Sequence, residues 1–314
     1  MIEIKKYSSK RKEEWDNFIR GSKNGVFFFL RDYVEYHSHR FTDSSLMFYK
    51  DGKLRAVLPA NINDDVLISH GGLSFGGLIL DTKATIILVI SLFDELRKFA
   101  ASNRIKEIIY KSVPYIYHIH PADEDLYAMY LLGAKIIKRN PSTVIRMRDK
   151  INFQTLRKRS IKKAINNKLV VDISSDYNSF WDILIDNLRS KYNISPVHSI
   201  EEIKYLVTKF PANIKLFVSS KNKQIIAGVV LYENKSVVRA QYIAASPHGK
   251  KIGAIDIIFD YLIKKYSSID YFDFGVSTET IKVDGKYLLN EGLVFQKEGF
   301  GGRTVVYDTY KITI

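Results

Sequence analysis

Between Val237 and Phe274 the chain reads as strand, turn, helix and strand, and no other stretch limits the fold as tightly. The first strand, Val237–Ala244, ends at Ala245 in a turn of Ser246, Pro247, His248 and Gly249. The spacing of Ile252, Ile255, Ile258, Phe259 and Leu262 predicts a helix after it, with Lys264 and Lys265 at its end. Tyr271–Phe274 is a second buried strand, predicted to stop at Gly275 and open into a polar loop through Ser277 and Glu279. A strand that crosses through a helix to a further strand points to an α/β sheet. Such sheets bind ligands just past their strand ends. Polar residues collect at that place here.

The first half follows the same logic. Ile2–Lys6 is a strand, and a helix begins at Ser8 or Ser9 with Trp15, Phe18 and Ile19 inward. Leu46–Tyr49 and Leu54–Asn61 are strands around Asp51–Gly52, a hairpin turn. Val66–Ser69 leads into SHGGLSFGGL. There Gly71, Gly72, Gly76 and Gly77 either bring backbone close to a ligand or make a bulged strand and tight turn. Thr85–Ala101 is an amphipathic helix and Glu107–Tyr110 a buried strand. Beyond it, Tyr115, Tyr117, His118 and His120 form a substrate wall or an aromatic plug. Asp125–Leu132 is a short helix before a strand at Ser142–Met147. His37 and His39 share no helical face, and no carboxylate pattern completes a ligand set, so no metal is expected.

The order of elements then repeats, which places a domain boundary near Arg148–Asn152 and divides the chain into 1–148 and 149–314. The second half opens with LRKRSIKKAINNKLV. Between Arg157 and Lys168 six of twelve residues are basic and none is acidic. Ile161, Ile165 and Leu169 share one stripe of a helix, so the cations cover its other faces. Such a run is a solvated face or a phosphate-binding patch. Phe180–Lys191 is a helix with Trp181, Leu184, Ile185 and Leu188 inward. Ser199 caps the next helix with Glu202 three residues on, a capping-box spacing, and His198 stands just before the cap. Ile214–Ser219 and Gln224–Glu233 are strands.

Composition sets the outer bounds. A chain of 314 residues with 46% apolar side chains can build two cored domains. It contains no cysteine, which removes disulfides and a thiol nucleophile together. The longest apolar stretch, Ala84–Phe93, is too short to span a bilayer, and the N-terminus has no apolar run of signal-peptide length. A cytoplasmic protein without a membrane span is expected. The net charge of +14 suits polyphosphates such as coenzyme A and nucleotide sugars, nucleic acid or anionic lipid, and suits general solubility equally well.

Three segments carry a resemblance: QYIAAS (241–246), YFDFGVSTE (271–279) and NEGLVFQKEGFG (290–301). LPAN (58–61), SHGGLSFGGL (69–78) and PVHSIEEI (196–203) fit the same pattern. With these the chain, over nearly its whole length, resembles the double-domain branch of the GNAT acyltransferase superfamily that includes FemAB/FemX-like aminoacyl transferases. It is most similar to the GNAT-type N-acyltransferases of bacterial surface-polysaccharide amino sugars. The resemblance implies an α/β (α+β) fold of two tandem GNAT-like domains, each a mixed twisted sheet flanked by helices.

What the resemblance implies for function is an acyl-coenzyme A thioester as donor and a dTDP- or UDP-linked amino sugar as acceptor, transferred directly without a covalent intermediate. The alternative is a FemX-like enzyme that uses aminoacyl-tRNA on a peptidoglycan precursor, with Arg157–Lys168 holding RNA. The donor phosphates would meet Ala245, Ser246, His248, Gly249, Lys250, Lys251 and Gly253 at a helix N-terminus. Against the family's Gln/Arg-x-x-Gly-x-Gly/Ala signature, Lys250, Gly253 and Ile255 stand in the matching places, and only the central glycine fits. Glu279, Glu291 and Asp273 are candidate bases. Lys297 matches the lysine of a FemX-like F-x-K-x-x-F region (Phe295, Lys297, Phe300, one spacing altered), which implies an oxyanion or phosphate role, the plain alternative being an edge charge on a strand. Phe75, Gly76, Gly77, Tyr117, His198, Tyr242 and Ser277 are the candidate substrate contacts. A homo-oligomer is compatible with all of this.

Overall fold

A computed structural model describes residues 1–283 and 286–314, apart from the side chains at 191–192, 280–283 and 286–287. The chain forms two compact units, Met1–Asn140 with Val306–Ile314, and Pro141–Val305. The second thus begins eight residues before the boundary expected at 148/149, and the last nine residues belong to the first.

In the first unit the elements run β1 (Ile2–Lys6), α1 (Lys12–Gly21), α2 (Arg31–Val34), β2 (Thr42–Asp43), β3 (Leu46–Lys50), β4 (Lys53–Leu58), β5 (Asn61–Asn63), β6 (Val66–Ile68), β7 (Ile79–Leu80), α3 (Ile86–Ser102), β8 (Glu107–Lys111), α4 (Glu124–Leu131) and the start of β9 (Lys135–Arg146). β1, β3, β4 and β7 make one antiparallel sheet, whose β3–β4 hairpin turns on Asp51 (φ 51°) and Gly52 (φ 75°). The strand expected over Leu54–Asn61 is two, because Pro59 between β4 and β5 has no N–H to give a ladder. β6 runs parallel to β8. On its other side β8 pairs antiparallel with β17 (Arg303–Thr313), Ile312 opposite Ile108. Val89, Leu92, Phe93 and Leu96 of α3 pack on Phe48, Leu58 and Ile108, which makes the core of this unit.

The second unit continues from β9 through α5 (Thr155–Asn166), β10 (Val170–Ser174), α6 (Tyr177–Tyr192), α7 (Ile200–Lys209), β11 (Ile214–Lys221), β12 (Gln224–Glu233), β13 (Val237–Ala245), α8 (Pro247–Lys251), α9 (Ala254–Lys265), β14 (Tyr271–Val276), β15 (Thr278–Val283), β16 (Lys286–Leu289) and α10 (Glu291–Glu298) to the start of β17. Its sheet is ordered β10, β11, β12, β13, β14, β9, antiparallel except between β13 and β14. Side chains alternate across it. Ala227, Val229 and Leu231 of β12 pack with Ile255, Ile258 and Leu262 of α9. Gly228 points the other way, where a methyl group would stand 2.4 Å from the Phe180 ring of α6. Helices therefore cover both faces.

Three local expectations are corrected. The helix predicted through Ile252 is α8 and α9, broken at Gly253, whose φ of 81° is left-handed. Glu279 lies on strand β15 rather than in a loop. Lys297 lies on α10 and not on a strand. Asn290 starts that helix by accepting the Leu293 N–H at 3.0 Å.

Candidate active site

The site follows from how β13 and β14 part. They pair in parallel only at Val237–Arg239 with Tyr271–Asp273. β13 continues to Ala245 with a bulge at Gln241, where its register with β12 shifts, while β14 bends at Gly275 (φ 77°) and its register with β9 shifts between Asp273 and Val276. Asp273, 0% exposed, locks the bend: its Oδ1 accepts the Gly275 N–H at 2.8 Å and the Ser142 hydroxyl. A buried carboxylate spent on a backbone amide and a hydroxyl positions the chain rather than exchanging protons with a substrate.

The bend turns carbonyls away from the ladder, and a backbone acceptor buried without a donor is costly. Lys297 meets them. Its Nζ donates to the Gly275 carbonyl at 2.8 Å, the Val276 carbonyl at 3.0 Å and the Ser277 hydroxyl at 2.8 Å, one acceptor for each N–H of the ammonium. The side chain is 6% exposed. Burial pushes its pKa down to about 8, with Asp273 opposing and Arg239 adding to the fall. The edge-charge reading of Lys297 does not survive this burial.

A cavity of about 260 Å³ opens in the second unit beside this lysine. Ile243, Ala244 and Ala245 of β13 form one wall, Leu184, Asn187 and Leu188 of α6 a second, and Leu293, Gln296 and Lys297 of α10 a third. Ile255, Phe259 and Phe300 close the apolar end, and Lys250 stands at the polar one, its ammonium on the Asn187 side-chain oxygen. The Asn187 amide in turn donates to the Ala245 carbonyl at 2.8 Å. The polar lining is two amides and two lysines with no carboxylate among the described residues, so the cavity suits a carbonyl or an anion.

The cofactor candidates divide. Ala245 and Lys250 line the cavity. Ser246 caps α8 by accepting the Gly249 N–H at 3.1 Å, and His248 and Lys251 are exposed. Gly249 and Gly253 are small for packing: a methyl group would lie 2.5 Å from the Ile226 carbonyl oxygen and 2.4 Å from that of Ser160. The anion cradle expected at this helix start is also thin, because Pro247 has no N–H and that of Gly249 is taken.

Of the substrate candidates, Ser277 touches Lys297. His198 and Tyr242 hold each other, the Tyr242 hydroxyl pairing with the His198 ring Nδ1 and accepting its backbone N–H at 3.3 Å, while the phenol ring stands edge-on to Trp181 at 5.0 Å. Neither lines the cavity. Glu279 is half-buried and Glu291 exposed in the first turn of α10, and neither reaches it. Phe75, Gly76, Gly77 and Tyr117 belong to the first unit. Phe75 and Tyr117 pack ring on ring at 4.5 Å, the plug rather than the wall. Methyl groups on Gly76 and Gly77 would strike the Ser69 carbonyl at 2.4 Å and the Tyr110 hydroxyl at 2.9 Å. Missed altogether were Asn187 and Gln296. A polar residue beside the inward Leu184 and Leu188 of α6 was the available signal for the first.

No family model and no curated protein matches the sequence. Among solved structures the chain is similar to FemX (12% identity, 99% of this chain and 97% of that one, TM-score 0.67). It is also similar to the C-terminal domain of a putative lysylphosphatidylglycerol synthetase from Agrobacterium fabrum (12%, 98% and 92%, 0.62). A tandem GNAT protein from the clavulanic acid biosynthesis pathway aligns over 100% of this chain and 98% of its own at 8% identity and a TM-score of 0.50. At such identities the likeness is one of fold. The fold is GNAT/Fem-like.

Proposed function

We infer that the chain transfers an acyl or aminoacyl group to an amine, with the donor carbonyl bound in the cavity of the second unit. The observation that carries this is Lys297: an ammonium buried at the wall of a cavity with no carboxylate among the described residues, where strands β13 and β14 part. Attack by the amine puts negative charge on the carbonyl oxygen, and a preplaced cation in a dry site stabilises that charge. Lys297 takes that role by giving up one of its present acceptors. Collapse breaks the bond to the leaving group, and the amine loses its proton to solvent or to the leaving group. Asn187 and Gln296 fix the carbonyl, and Lys250 holds a donor phosphate.

In the first reading the donor is an acyl-coenzyme A thioester and the acceptor the amine of a dTDP- or UDP-linked amino sugar for bacterial surface polysaccharide. The second reading is a FemX-like reaction, aminoacyl-tRNA on a peptidoglycan precursor. It is favoured by the higher TM-score to FemX, 0.67 against 0.50 for the tandem GNAT protein. The test is thiol release from a panel of acyl-coenzyme A donors with and without nucleotide-linked amino sugars. The absence of cysteine leaves no protein thiol to react with the dye. Sugar-dependent release supports the first reading. Silence there, with label passing from charged tRNA to a cell-wall precursor, supports the second. Silence in both overturns the assignment.

A further inference from the structure

The basic segment that opens the second unit lines no part of the cavity, and only the tRNA-dependent reading gives it a ligand. It forms α5, whose inner side is fixed to α9. Arg157 donates to Asp256 at 2.7 Å, and the Ser160 carbonyl closes on Gly253. On the outer side stand Lys158, Arg159, Lys162 and Lys163, and α5 contains no acidic residue. Among the described residues none of these four is in an ion pair.

Aliphatic side chains are interleaved with these cations. Ile165, 59% exposed, leans towards α9 and lines an open groove of about 630 Å³ with Val171 of β10 and Ile257 and Tyr261 of α9. Lys264 and Lys265 rim it, and the one carboxylate there, Asp260, is paired with Lys264 at 2.7 Å. Ile173, two residues after Val171 and so on the same side of β10, is also 59% exposed.

We propose that this face, made by α5, β10 and the end of α9, docks the protein on an anionic lipid bilayer. Charge complementarity selects a polyanion, and the aliphatic side chains select among polyanions. Single-stranded RNA is held by successive aromatic platforms and arginine planes. The groove has one aromatic ring, Tyr261, and the outer side of α5 one arginine, Arg159, whereas Ile165, Ile173 and a lysine-rimmed apolar groove match an interface of acyl chains beneath phosphate headgroups. The docking goes beyond the proposed transfer reaction and does not depend on it.

The test is flotation of the full chain with vesicles of phosphatidylcholine alone, or mixed with phosphatidylglycerol, at low and at physiological salt. Binding is expected only with phosphatidylglycerol present, and weaker at the higher salt. At about fivefold per lysine near a charged surface, K162E/K163E lowers it at least about tenfold. Ile165→Gln with Ile173→Gln lowers it about fivefold or more at unchanged charge. All four positions are exposed, so both variants keep the wild-type melting temperature. Absence of flotation, or flotation that the isoleucine variant leaves intact, overturns the proposal. So does tight binding of a tRNA-sized RNA without flotation, which would give the face to RNA.

Discussion

The Lys297 ammonium and the Gly275 carbonyl, 2.8 Å apart, join helix α10 to the bend of strand β14. One side chain thereby supports the opening between two strands and supplies a cation at the cavity that results.

Replacing Lys297 by Met tests both roles. Turnover of whichever donor is accepted should fall about a hundredfold or more if the ammonium stabilises an oxyanion. Wild-type rates should fall as pH rises past about 8, since the charged form is the active one. Stability moves the other way. Between about 8 and the ordinary lysine value of 10.5 the unfolded chain holds a proton that the folded one has released, so this group's contribution rises with pH across that window. The rise is on the order of 3 kcal/mol and is absent from Lys297→Met, as urea unfolding on both sides of pH 8 would reveal.

Two buried imidazoles in the first unit set an acid limit. His37 and His70 lie 5.0 Å apart, ring to ring. Burial holds His37 down to about 4, helped by Arg40 and His39. It holds His70 down to about 3, helped by His37, Lys111 and Arg31 against Asp43. Below the ordinary value of 6.5 the unfolded chain binds protons that the folded chain refuses, so stability drains away as pH falls towards 4 and 3. His70→Asn, which tolerates the φ of 54° there, should flatten that loss, read as melting temperature against pH.

Gly253→Ala should cost about 2 kcal/mol or more. The residue is left-handed, and the new methyl group would meet the Ser160 carbonyl, a backbone atom that cannot step aside without moving α5. A denaturant midpoint within error of wild type would refute this.

Asp256 and Arg157 make an ion pair at 2.7 Å with both side chains largely buried. Burial nonetheless holds the Asp256 carboxyl above its ordinary value despite the arginine. Asp256→Ala should therefore destabilise by about 3 kcal/mol, by stranding the guanidinium. Arg157→Met with Asp256→Leu should cost clearly less than that single change. Equal losses in the single and double variants would show that packing, and not the stranded charge, sets the cost.

Much of the fold was legible because it rests on local rules. The hairpin at Asp51–Gly52 and the capping box of Ser199 with Glu202 are each written within four residues. The site was legible only in part, for it depends on where strands diverge. Lys297 was marked by a motif, and Lys250 by its charge at a helix start, since it departs from the signature there. Asn187 was not, because its neighbours across the cavity come from segments far along the chain. Glu279 and Glu291 are the expected bases, Glu279 for its place after a strand end, but they lie on β15 and the first turn of α10 and line no part of the cavity.

The pairing of β17 with β8 has a consequence for synthesis. Tyr310, Lys311 and Ile312 complete the sheet beside Tyr110, Ile109 and Ile108, yet they leave the ribosome after the whole of Pro141–Val305. The unit translated first is thus the last to be finished. A chain halted at Val305 would keep every residue of the second unit and expose the bare edge of β8 in the first, an open template for another strand.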